Sequence, residues 1–297
     1  MNKNNHEWTP MATNKLPDRL SWSRGYLCSF VVAFLLGCAQ PKPVVLNSDL
    51  ARELPPRALA RKALGPDSRG QTFDHAAWGG LLADAVKPDG TVDYARMKRR
   101  EAELNAYLVD VGNAPLDELT RHEQLALLLN AYNACTVKMI LENPGLRSVS
   151  DLPAARGWRQ TGWVIDRTGV SLEQLEQDYL RGQFTDPRLY VALVRGARGS
   201  PPLRNEPYTG AALERQLEDQ ARRLLADPRF CAWNAESKTL RLGGLFERHR
   251  ADFADDDAGL IKSLLPFMPD LLRLTLKSQT SINLEFTSFD WALNGTW

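Results

Sequence analysis

The stretch from Thr120 to Gly145 limits the possible folds more than any other part of the chain. Leu125, Leu128, Leu129, Tyr132, Thr136, Met139 and Ile140 recur with the 3.6-residue period of one helical face. Thr120 followed three residues later by Glu123 is the signature of a capping box, and Asn143-Pro144-Gly145 stops the helix.

Shorter elements flank it. Phe73, Trp78, Leu81, Leu82 and Val86 share a helical face up to the turn Pro88-Asp89-Gly90, and Thr91 to Tyr94 reads as a strand. Downstream, Trp163–Ile165 and Val170–Leu172 around Asp166-Arg167-Thr168-Gly169 read as a hairpin, after which Ser171 and Gln174 cap a helix running to Arg181. Arg188 to Val194 reads as a buried strand. Thr209 opens a helix to Ala226, stopped by Pro228, and a short strand near Thr239–Leu242 precedes helices around Asp256–Leu265 and Leu271–Leu276. Without any internal repeat, this mixture predicts a single α+β domain over 72–297, mainly helical with a small sheet.

The N-terminus reads as an address. Lys15, Arg19 and Arg24 precede the apolar run Gly25–Leu36, which has the length of a signal-peptide core and is too short for a permanent membrane span. It ends Leu35-Leu36-Gly37-Cys38, which resembles the bacterial lipobox, where cleavage falls before a cysteine carrying diacylglyceryl. Residues 1–37 are thus expected to be a lipoprotein signal peptide, with Met11 an alternative start, and 38–71 the lipidated Cys38 and a flexible tether. Pro41, Pro43, Pro55, Pro56 and Pro66 interrupt regular structure there, leaving room for a short helix between Leu50 and Leu64. Ala39 in place of Asp leans toward the outer membrane, facing the periplasm. Removing residues 1–37 leaves 260 residues of net charge −1, so the membrane would be held through the lipid on Cys38. With 37 Lys and Arg against 36 Asp and Glu, the chain offers no footprint for a nucleic acid.

Of the four cysteines, Cys28 would leave with the signal and Cys38 would be capped, leaving Cys135 and Cys231. The helical apolar setting of Cys135 favours a buried free thiol over a disulfide. His75, His122 and His249 form no cluster with them, so no metal and no cofactor is expected. Asn130 and Asn133 stand three apart on the long helix, and two buried carboxamides there need partners. A tie to a neighbouring loop is the favoured role, ligand binding the other. The segment Arg195-Gly-Ala-Arg198-Gly-Ser200-Pro-Pro-Leu-Arg204 could turn at Gly196 and Gly199 and present N–H and guanidinium donors to an anion; a solvated basic turn is the plainer reading.

Trp78-Gly-Gly-Leu81-Leu82, Asp89-Gly-Thr-Val-Asp93-Tyr94, Asn130-Ala-Tyr-Asn133-Ala, Ser171-Leu-Glu-Gln-Leu-Glu176, Pro201-Pro-Leu203 and Phe289-Asp290-Trp291-Ala-Leu-Asn294 occur in this order over roughly 220 residues. Together they resemble the domain of unknown function 547 family, found in exported bacterial proteins and in plant and animal proteins, with no firmly assigned activity. The resemblance implies a His after the glutamate matching Glu176, a His in the following strand, a Cys at that strand's end and a Cys before the Pro pair. This chain has Gln177, Tyr190, Arg195 and Ser200 there. A thiolate–imidazole mechanism would therefore lack its partners at those places.

The expected protein is an exported envelope lipoprotein that binds an anionic ligand or a protein partner without turnover, leaning away from an enzyme. Its cleft would be lined by Asn130, Asn133, Glu176, Arg195, Arg198, Ser200 and Asp290. The alternative is a hydrolase or acyltransferase with Ser200 as nucleophile, a histidine from elsewhere as base and the Asn side chains as oxyanion donors. A third reading is structural, with the Asn pair and Asp290-Trp291 locking the C-terminus onto the long helix.

Overall fold

In the computed structural model the chain is described over Val44–Val45, residues 70–152 and residues 157–297. The expected signal peptide, Cys38 and the helix at Leu50–Leu64 lie outside the described residues. Strand β1 is Val44–Val45. Helix α1 (Ala76–Ala85) buries Trp78, Leu81, Leu82 and Ala85, the face its spacing indicates. Strand β2 holds only Val92–Asp93, because Asp93 accepts the N–H of Arg96 and caps α2 (Tyr94–Arg99). Helix α3 (Glu101–Asn113), absent from the sequence reading, buries Leu104, Tyr107 and Val111 at helical spacing.

Helix α4 (Arg121–Leu141) is the pivot of the fold, and every residue from Leu125 to Val137 is buried. Such a helix is enclosed on all sides, so its Ala126, Ala131 and Ala134 are as much core as its leucines. Thr120 caps it by accepting the N–H of Glu123. The expected reciprocal half of the capping box is not made: the N–H of Thr120 donates to the carbonyl of Gln71 at 3.3 Å. A neighbouring chain segment supplies what the Glu123 side chain was expected to supply.

Strands β3 (Trp163–Ile165) and β4 (Thr168–Val170) form the expected hairpin, tighter than the sequence indicated. Its two-residue turn puts Asp166 and Arg167 at φ 47° and 61°, as a primed hairpin turn requires. Helix α5 (Leu172–Gln174) begins with a complete capping box between Ser171 and Gln174. It runs on as a π-helix over Leu175–Arg181, the wide helical form that recurs at functional sites.

Arg188–Val194 is not a strand. Asp186 accepts the N–H of Arg188, and the segment winds into helix α6 (Leu189–Ala192). A short apolar run buried on all sides looks the same in sequence whether it is strand or helix. After a 3₁₀ turn at Gly210–Ala212 comes α7 (Leu213–Ala226), then β5 (Cys231–Asn234) and β6 (Thr239–Leu242). Helices α8 (Gly244–Arg248), α9 (Arg250–Phe253), α10 (Asp257–Leu264) and α11 (Asp270–Lys277) follow. Strand β7 (Ser281–Phe286), also unexpected, completes a four-stranded sheet of order β1-β7-β6-β5, in which only β6 and β7 are parallel.

The last residues form a strap. The carbonyl of Trp291 accepts from Val149, that of Ala292 from Arg198 and that of Asn294 from Val92, while Leu293 donates to Arg147 and Asn294 to Gly196. Strand β8 (Gly295–Thr296) then pairs in parallel with β2. Two glycines allow this closure: a Cβ on Gly295 would lie 2.1 Å from the Val92 carbonyl, and Gly196, at φ 68°, would collide with Ile140. The fold is α+β, mainly helical with small sheets. No helix among the described residues is long and apolar enough to cross a membrane.

Candidate functional site

Asn130 and Asn133 sit on α4 with both amide ends engaged by backbone. Asn130 donates to the Tyr208 carbonyl at 2.7 Å and accepts the Tyr208 N–H at 3.0 Å. Asn133 donates to the Ala192 carbonyl at 3.0 Å and accepts the Val194 N–H at 2.9 Å. Each carboxamide replaces one rung of a β ladder for a buried stretch of chain, and Asn133 does so where α6 gives way to extended backbone. These are ties from helix to loop.

Between them on the same helix, Tyr132 opens a buried polar cluster. Its hydroxyl donates to Glu176 at 3.1 Å and accepts from Trp158 Nε1 at 3.0 Å. The π-helix holds Glu176 inward, and Arg195 donates to both its carboxylate oxygens at 2.7 Å. With Glu176 buried, this is a charge-assisted pair shielded from water, in which one guanidinium nitrogen, Nη2, serves both oxygens. Gln177 accepts from Arg181, which also donates to Asp252 at 2.7 Å. Tyr190 stacks on His249, ring centroids 3.8 Å apart. Burial, helped by the positive charges of Arg195, Arg248 and Arg181, lowers the His249 pKa to about 3, so its ring is neutral. Burial, together with Asp252, raises the Tyr190 hydroxyl.

Glu176, Gln177, Tyr190 and Arg195 thus meet in one cluster, in which the guanidinium occupies the carboxylate. Ser200 lies outside it. Its hydroxyl donates to the Ala197 carbonyl at 2.6 Å, and no histidine among the described residues is its hydrogen-bond partner. His75 bonds Tyr107, and His122 faces Glu214. Cys135 and Cys231 are buried free thiols, with burial raising Cys231 to about 12 and Cys135 further.

Arg198 and Asp290 belong to the surface beside Ser200. The turn's N–H groups are spent on structure: Arg198 donates to Ala292, Gly199 to Asp290 and Ser200 to Ala197. An anion at this turn therefore meets side chains rather than a backbone cradle. Two grooves flank it. One, of about 270 Å³, is lined by Asp89, Thr91, Ser200 and Asn294; the other, of about 410 Å³, by Phe230, Phe289 and Asp290. Arg198 and Arg229 line both. Arg229 is paired with Asp227, whereas the exposed Arg198 guanidinium has no hydrogen-bond or ion-pair partner among the described residues.

The sequence reading missed Tyr132 as a polar partner, and with it Trp158, Arg181, His249 and Asp252. Tyr132 was legible only as one member of the apolar stripe, and His249 stands 73 positions beyond Glu176, with no local signal to connect them. Among the described residues no group of His, Cys, Asp or Glu is placed to hold a metal ion. Residues 116–225, which carry α4, the π-helix, the Arg195–Ser200 turn and most of α7, match the family described as Protein of unknown function, DUF547. No curated protein and no solved structure matches the chain.

Proposed function

From a chain whose residues 116–225 are a DUF547 segment, we propose a binding protein of the bacterial envelope that holds an anionic group at Arg198 and turns nothing over. It is anchored by lipid on Cys38, in the outer membrane and facing the periplasm. The observation that carries this reading is the unpaired Arg198 guanidinium on the wall common to two grooves, fixed by a turn whose backbone is bonded to the C-terminal strap. Arg229 adds a second donor face, already neutralised by Asp227, and Asp89 and Asp290 each line one groove. The site thus offers directed hydrogen bonding more than net positive charge, which selects for geometry.

Two contacts argue against turnover. Arg195 Nη2 holds both oxygens of Glu176, and the Ser200 proton is committed to a carbonyl, so neither group is poised as base or nucleophile. Titration calorimetry with inorganic phosphate and with acetate, as minimal anions, tests the reading. Saturable binding is expected, lost in Arg198→Gln and retained in Arg167→Gln, an exposed arginine of the hairpin turn. Hydrolysis of an ester or amide that Ser200→Ala abolishes would overturn the proposal in favour of the hydrolase or acyltransferase.

A further inference from the structure

Arg198 stands between two grooves rather than inside one, and that placement constrains the shape of what it can hold. Among the described residues, Arg198 and Arg229 alone are common to both linings. An anion on this guanidinium ridge therefore has open space on two sides. A carboxylate or a phosphate monoester carries one substituent and fills one groove, leaving the other to water. A phosphodiester carries two, on bridging oxygens that point apart, and keeps two non-bridging oxygens for the paired N–H groups of a guanidinium edge.

Charge leads to the same class. The two guanidiniums face Asp89 on one side and Asp290 on the other, and Asp227 already pairs with Arg229. Asp89 is fixed by the N–H of Thr91 at 2.9 Å and Asp290 by that of Ala292 at 2.9 Å, and both carboxylates act on Arg229 through space. A phosphate monoester, with a second pKa of about 6, is largely dianionic at neutral pH and would set its second charge against a carboxylate. A diester stays a monoanion. The walls then sort its two substituents. The groove of about 410 Å³ has Phe230 and Phe289 in its walls, whereas that of about 270 Å³ offers Asp89, Thr91 and Asn294 to hydroxyl groups. We infer that the anion held at Arg198 is a phosphodiester joining an apolar group, seated in the larger groove, to a polyol, seated in the smaller. This rests on the proposed anion binding at Arg198 and deepens it by naming the ligand class.

Titration calorimetry on the full chain compares phenyl glyceryl phosphate with its two halves, phenyl phosphate and glyceryl phosphate, and with inorganic phosphate. The diester is expected to bind about tenfold or more tightly than either half, and Arg198→Gln to abolish its binding. Ser288→Trp, at an exposed position of the larger groove, and Thr296→Trp, at an exposed position of the smaller, should each weaken the diester about tenfold and leave phosphate unchanged. A half that binds as tightly as the diester overturns the inference, whatever the variants do, and so does diester binding indifferent to both tryptophans. Failure of the diester and failure of the anion site are distinct. Phosphate binding lost in Arg198→Gln, with no gain for the diester, leaves the anion site standing and removes the diester. Diester binding unchanged in Arg198→Gln, or no binding of any of the four compounds, removes both. Phosphatidylglycerol vesicles added as competitor separate the sources: displacement of the diester marks a lipid headgroup and its retention a soluble diester, and the ligand class holds in either case.

Discussion

At the scale of single residues, the Arg195–Glu176 pair has the largest leverage. A carboxylate this deeply buried is tolerable because both oxygens accept from one guanidinium and one also from Tyr132. Arg195→Met removes the counter-charge and leaves Glu176 with a phenol, at an expected cost of about 3–5 kcal/mol in unfolding free energy. The double substitution Arg195→Met with Glu176→Gln removes both charges and should recover most of that loss, since replacing a buried pair by neutral groups is often nearly neutral. Urea titrations of the two single and the double variants check this. Phosphate binding at Arg198 should survive in the double variant, because Arg198 shares no contact with the pair.

Among elements, the junction between α4 and α6 shows how a short, awkward segment is held. Asn133 satisfies the carbonyl that α6 leaves at Ala192 and the N–H of Val194 after it. Asn133→Ala strands both groups in the core and is expected to cost about 2–5 kcal/mol. Thr136, one turn on, has a buried hydroxyl without a partner, so Thr136→Val should leave the melting temperature level or raise it. A comparable loss in both variants would mean that packing, not the amide bonds, matters there. The same junction explains what could be read in advance. Thr120 and Ser171 are caps visible within four residues, and α4 announces itself by period. Strand β7 was equally legible, since Ile282, Leu284 and Phe286 alternate with polar residues, yet the expectation lacked it. Residues 188–194 were not, because their conformation depends on Asn133, more than fifty positions away. Glu176 and Arg195 were both singled out from sequence, but the ion pair between them exists only once the π-helix and the chain beyond α6 close on Tyr132.

Over the whole molecule, two buried histidines make stability depend on acidity. His75, just before α1, bonds Tyr107, and burial outweighs the nearby Asp74 to bring its pKa down to about 4. His249, near the far end, is held at about 3 by burial and by Arg195, Arg248 and Arg181, with Asp252 still 3.9 Å away. Unfolded, both rings titrate near 6.5. Above that value folded and unfolded chains bind the same protons and neither histidine matters. Below it the unfolded chain takes up protons that the folded one refuses, so stability falls as pH drops from about 6.5 toward 4, and further toward 3 for His249. Each ring contributes up to about 1.4 kcal/mol per pH unit in that window. Carboxylates held low by hydrogen bonds and cations, such as Glu206 and Asp227, add their losses only below about pH 4.5. Urea midpoints between pH 7.5 and 5 therefore isolate the histidines. A decline setting in below pH 6.5 is expected, with its slope cut to about half in His249→Gln. A flat profile down to pH 5, or an unchanged slope in that variant, would mean that the rings gain protons in the folded protein and that burial does not hold them neutral.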